Sequence, residues 1–238
     1  MNLISPTPLA IDHPLAFMAR RTPQLQAAIE QQQAVMPAED FAEMMVSIRS
    51  LFSKYSNRLA EFAAGVERAT ALHRLMDREL EAAAGCVTSC AKGCSGCCHY
   101  EVEITQDEAA LLSEAVQRGV PIDHKRLSVQ AARPRQSPEW RKYFSADNRC
   151  VFLSGDGACQ VYDERPSICR KHLVSTPASS CTKEGETVSP VRVLLAEILL
   201  SASLSLVGAR IGSLSKMLVE VLPGPVPVRI EIVDWQKS

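Results

Sequence analysis

The nine cysteines of this 238-residue chain fall into two groups, and their spacing restricts the folds that can serve them. Five lie between Cys86 and His99, in CVTSCAKGCSGCCH, spaced C-x3-C-x3-C-x2-C-C as Cys86, Cys90, Cys94, Cys97 and Cys98. The other four, Cys150, Cys159, Cys169 and Cys181, have eight, nine and eleven residues between them. Thiolates must come within about 2.3 Å of a metal such as zinc to bind it. Short loops gather them at low entropic cost, and Gly85, Gly93 and Gly96 let the backbone turn tightly around an ion. The two groups read as halves of one metal or iron–sulfur site that only the folded chain completes. Neighbouring side chains usually diverge, so the adjacent Cys97 and Cys98 are expected to serve different metals or opposite sides of one cluster.

Composition narrows the alternatives. With 46% hydrophobic and 22% charged residues the chain can build a core without cysteine staples. A net charge of -1 gives no basic excess to hold nucleic acid or an anionic membrane, and 5% aromatics make a poor base-stacking platform. The stretch MNLISPTPLAIDHPLAF has neither a charged n-region nor a continuous apolar h-region, so no signal peptide is expected and the expected location is cytoplasmic. Thiols stay reduced there, and clustered cysteines read as metal ligands or redox groups before disulfides. No Ser/His/Asp grouping, phosphate-cradling loop or paired-carboxylate signature points to hydrolase or kinase chemistry, and His13, His73 and His124 lack ligand-like spacing.

Periodicity predicts a mainly α fold with a small β component, its helices set around a loop-rich cysteine metal centre. Residues 1–23 read as a proline-punctuated arm anchored by Leu9, Ile11, Leu15 and Phe17, and a short helix spans Gln24 to Val35. From Ala38 to Ala84 apolar residues recur at alternating spacings of four and three, from Phe41 through Ile48, Tyr55, Leu59 and Ala69 to Leu80, with His73 the polar exception. That is a long amphipathic helix or a hairpin broken near Ser53–Asn57 or Gly65, packed within the chain in preference to an intermolecular coiled coil. It is also the surface that a protein partner would use. Tyr100–Thr105 alternates like a strand, and Thr105 with Glu108 forms a capping box for a helix that stops at Gly119. Further helices are predicted at 122–132, from Ser137–Pro138 through Trp140 and Phe144, and at 191–221 with a division near Gly208 and Gly212. Cys150–Leu153 and Ala158–Tyr162 around a glycine turn predict a β-hairpin, and Val226–Val233 an edge strand. The apolar stretch between Glu197 and Arg210 is too short and too serine-rich to cross a bilayer. Three segments are expected: an arm and helical region over 1–85, a cysteine domain over 86–185, and a C-terminal helix and strand over 186–238.

The order CAKGCSGCCH, Cys150-Val-Phe-Leu, Gly157-Ala-Cys-Gln-Val-Tyr162, Glu164-Arg-Pro166, Cys169-Arg170 and Cys181 resembles the CxxCxxCC, or YkgJ-type, family of zinc- or iron-chelating cysteine-cluster proteins. The resemblance covers roughly residues 86–185. It implies Cys90, Cys94, Cys97, Cys98, Cys150, Cys159, Cys169 and Cys181 as metal ligands and leaves Cys86 outside, so Cys86→Ser is expected to change little. Three residues separate Cys90 from Cys94 where the family has two. His99 and His172 sit beside these positions, and Arg165 and Arg170 would offset thiolate charge or pair with acids. Zinc and iron both stay open, but irregular spacing in the second half suits an iron–sulfur cluster better than paired zinc knuckles. One function is metal or cluster binding. Another is a cluster-dependent enzyme, in redox chemistry or in methyl transfer from S-adenosylmethionine by resemblance to flagellin lysine methylases. A third is a zinc-stabilised interaction module. Cys90-x3-Cys94-x2-Cys97 matches the radical-SAM spacing, without the repeated βα series that normally carries it.

Overall fold

The computed structural model describes residues 10, 12–83, 85, 88–141, 145–183 and 186–224. The chain is mainly α, with eight α-helices among the described residues and two small antiparallel sheets. Leu9, Ile11, Cys86, Phe144 and the expected strand at 226–233 lie outside them.

The N-terminal arm is anchored as expected by Leu15, fully buried, and by Phe17, whose ring meets Phe52 edge-on at 5.4 Å. Helix α1, Pro23–Val35, opens on Thr22, whose hydroxyl accepts from Leu25 N while Pro23 fills a position with no amide to satisfy. The long amphipathic stretch is broken at Gly65. It forms α2, Ala38–Ala60, and α3, Val66–Ala82. Gly65 has φ 101°, a backbone open to glycine at little cost, and its amide donates to Asp107 Oδ1 at 2.7 Å. Arg68 clamps the other carboxylate oxygen at 2.6 Å, so the corner is fixed by a residue from a later helix.

Strand β1, Glu103–Thr105, runs directly into α4, Gln106–Gln117, through the predicted capping box. Helix α5, His124–Ala131, is capped by Asp123. The predicted helix after Ser137 is only a 3₁₀ turn over Pro138–Arg141. The predicted 150–162 hairpin is reduced to one bridge, Leu153 with Cys159. Its backbone groups have other partners: Cys150 N donates to Cys98 O, and Val151 O accepts from Asp123 N. Past that bridge, the chain curls into a 3₁₀ turn at Tyr162–Glu164 and the five-residue helix α6, Ser167–Lys171. Strand β2, Leu173–Val174, pairs with β3, Pro190–Val191.

The 191–221 segment divides near its glycines into α7, Leu194–Leu204, and α8, Leu214–Val221. Between them lies β4, Ile211–Ser213, a strand the local pattern did not predict. It pairs with β1, placing Ile104 opposite Gly212, so two strand–helix units stand side by side. Helix α7 is buried without interruption from Ala196 to Leu204 and packs against α1, α2, α3 and α6. Burial on every side explains why its apolar residues outnumber one helical face. The apolar seam of α2 and α3 is thus covered within the chain. No helix of the described residues is long and apolar enough to cross a membrane.

Candidate metal centre

The cysteines sit on loops and short turns fastened to this helical frame. Ser89 N bonds to Val174 O at 2.9 Å, laying Cys90 along β2, where Val174 N points at its sulfur at 3.4 Å. Gly93, at φ 97°, turns the chain so that Cys94 follows at once. Cys97 and Cys98 occupy a 3₁₀ turn, Gly96–His99. Cys150 is tied to that turn by its amide, 2.7 Å from Cys98 O. Cys159 is held by the bridge to Leu153, Cys169 lies on α6, and Cys181 on a 3₁₀ turn, Ala178–Thr182. These eight cysteines are free thiols, each partly buried.

They separate into two neighbourhoods. Cys90, Cys94, Cys97 and Cys181 line one cavity of about 460 Å³, together with Lys92, Tyr100 and His172. Cys150, Cys159 and Cys169 instead pack against the hydrophobic core. Cys98 is not among the residues lining that cavity. Its thiol is close enough to Cys97 to hydrogen-bond, so the adjacent side chains converge where the sequence predicts divergence, and both lie within electrostatic reach of Cys150 and Cys169. Of the two histidines singled out by sequence, His172 lines the cavity; His99 Nδ1 lies 3.4 Å from Gly96 O.

The electrostatics follow from this crowding. A hydrogen bond from the Cys98 thiol, working against burial, brings Cys97 down to about 7, and the Arg165 guanidinium helps. Cys98 is correspondingly pushed up, first by that bond and then by burial and its thiol neighbours. Burial pushes Cys150 up to about 11 and Cys169 well above the ordinary thiol range; other cysteines add to both. Burial also raises Cys181, and Cys90, Cys97 and Cys94 raise it further. Thiols placed this way resist ionising together unless a cation joins them. Arg165 stacks on the Tyr162 ring at 4.1 Å and favours the thiolate at both Cys97 and Cys159, whereas Arg170 pairs with Asp77. The two arginines therefore divide the roles that the sequence left open between them.

The donors fit a thiophilic metal in kind. Gly96 supplies the closest approach: a Cβ there would lie 2.7 Å from Cys181 Cβ and 2.8 Å from its carbonyl oxygen, so the absent side chain makes room for the Cys181 turn. Among the described residues no three His, Cys, Asp or Glu side chains yet form a shell that could hold an ion, so binding must draw thiols together. Gly96→Ala is expected to displace Cys181 and weaken metal binding several-fold. Gly155→Ala, with nothing within 4 Å of its added carbon, should leave it unchanged. Metal titration of both variants checks this.

Residues 89–187 match the family model CxxCxxCC, described as a "putative zinc- or iron-chelating domain". No curated protein and no solved structure matches the chain. The matched segment contains all eight described cysteines, yet part of its support comes from outside. His73 and Asp77 on α3 and Glu197 on α7 make buried or half-buried polar contacts with α6 or its neighbours. Sequence reasoning could not find these, because each pairing spans a long loop and leaves no local pattern.

Proposed function

We propose that the chain is a metal-binding protein with two thiolate centres that part at Cys97–Cys98. The outer centre uses Cys90, Cys94, Cys97 and Cys181; the inner uses Cys98, Cys150, Cys159 and Cys169. The observation that carries this reading is that four thiols line one cavity while Cys150, Cys159 and Cys169 pack against the core. Cys97 lines that cavity and Cys98 does not, which assigns one to each.

The outer centre suits an iron–sulfur cluster. A four-coordinate zinc ion with Zn–S bonds of about 2.3 Å closes its shell and needs no cavity. A space of about 460 Å³ lined by four cysteines accommodates a larger inorganic core. When bound, such a cluster supplies one-electron redox chemistry or a structural anchor. The chain's own residues gather the thiols, and Arg165 and Lys92, both stacked on Tyr162, offset their negative charge. Each thiol must lose its proton to bind, so loading releases protons and tightens as pH rises.

Anaerobic purification followed by iron, zinc and acid-labile sulfide analysis tests this. Iron with sulfide, and visible absorption that disappears in Cys181→Ser, is the expected result. Stoichiometric zinc in a colourless protein without sulfide would overturn the cluster.

A further inference from the structure

We infer that His73 and Asp77, on α3 and outside the matched segment, are positioning residues for Cys169 and thereby for the inner centre. This rests on the two-centre reading above. Helix α6 has only five residues, too few to hold its own conformation, and it carries Cys169 in the middle. It is gripped at both ends by side chains from other helices. Ser167 N donates to Glu108 Oε1 at 2.7 Å, and Lys171 Nζ donates to Glu197 Oε1 at 2.7 Å.

Arg170, next to Cys169, is 5% exposed. Its Nη1 donates to both carboxylate oxygens of Asp77 at 2.7 Å. Its Nε donates to Arg165 O at 2.9 Å and its Nη2 to Asp163 O. Nη2 also stands 3.4 Å from His73 Nδ1, and His73 Nε2 stands 3.4 Å from Glu108 Oε1. An arginine can only donate, so Nδ1 accepts and the ring proton belongs on Nε2, which donates to Glu108. One side chain therefore fixes the turn between Cys159 and Cys169, and α3 fixes that side chain. Without Asp77 or His73 the guanidinium is left in a buried site with fewer acceptors, and it must move, taking Cys169 with it.

The test uses the full-length, reduced chain titrated anaerobically with cobalt(II). It is read by thiolate-to-cobalt charge-transfer absorption and by native mass spectrometry. The wild type is expected to take up two ions per chain. His73→Leu should take up one, with the helical circular dichroism of the wild type, and His73→Gln, which keeps an acceptor and a donor, should recover the second. Asp77→Asn, whose side chain is half-exposed, should weaken the second ion at least tenfold, and it decides the matter if His73→Leu fails to fold. Two ions bound with unshifted spectra and affinities in His73→Leu and Asp77→Asn would overturn the inference while the two-centre reading stands. A wild-type chain that binds no cobalt would overturn that reading, and the inference with it.

Discussion

Replacing Cys98 or Cys159 by serine will remove metal and stability together. A serine hydroxyl stays protonated and is a poor ligand for the soft metals that thiolates select. Binding free energy at thiolate sites is also folding free energy, about 10–16 kcal/mol for a structural zinc ion near neutral pH. Losing one ligand of four forfeits a fraction of it. At about 2–4 °C per kcal/mol for a chain of this size, a loss of several kcal/mol lowers the thermal midpoint on the order of 10 °C. The effect should be large because the inner thiols lie against the core, where Val151, Phe152 and Ile168 flank Cys150 and Cys169 and are almost fully buried. Metal analysis and thermal unfolding of each variant check this, and a variant with full metal content would remove that residue from the ligand set. Cys86→Ser should behave like the wild type in both measurements.

Removing Glu108 will be nearly as damaging, for a different reason. Its carboxylate is 2% exposed and accepts from Ser167 N, Thr105 N and Thr105 Oγ1 at 2.7, 3.0 and 3.1 Å, with His73 at 3.4 Å. It joins α3, α4 and α6. Burial alone would push this carboxyl up; His73 and the amides of Thr105 and Ser167 overcome that and hold it at about 2. A carboxyl whose value is depressed by folding contributes stability above its unfolded value. That contribution is lost as pH falls through the folded one. The window therefore runs from about 4.3 down to about 2, and the contribution is about 3 kcal/mol. Glu108→Ala should cost about 3–5 kcal/mol at neutral pH because it strands buried donors. Glu108→Gln should keep part of the stability and flatten the acid dependence inside that window. Denaturant unfolding at stepped pH measures both, and an acid profile of Glu108→Gln identical to the wild type would refute the assignment.

What the sequence disclosed depended on distance along the chain. The capping box of Thr105 and Glu108 was legible because its partners lie three residues apart. The break at Gly65 was one of two candidate positions, and the deciding partner, Asp107, lies 42 residues away. Strand β4 has no alternating pattern of its own and exists because β1 pairs with it. The failed 150–162 hairpin shows the converse. Its two apolar runs carry strand-like residues, but backbone groups of Cys150 and Val151 are taken by Cys98 and Asp123. At the metal centre the residue types were plain from spacing, whereas their division into a cavity-lining set and a core-packed set was not. That division depends on Cys181 reaching Gly96 and Cys150 reaching Cys98, contacts between distant loops. His73, the polar exception in the apolar seam, is buried, and its bridging of Glu108 and Arg170 appears only in the folded chain.

In the proposed arrangement Cys97 and Cys98 belong to separate centres. Native mass spectrometry under anaerobic conditions tests it most directly, on the wild type, Cys90→Ser, Cys98→Ser and the double variant. Two separable metal-dependent mass increments are expected in the wild type. Cys90→Ser should lose only one, Cys98→Ser only the other, and the double variant both. A single increment, lost whole in either single variant, would place both thiols in one centre.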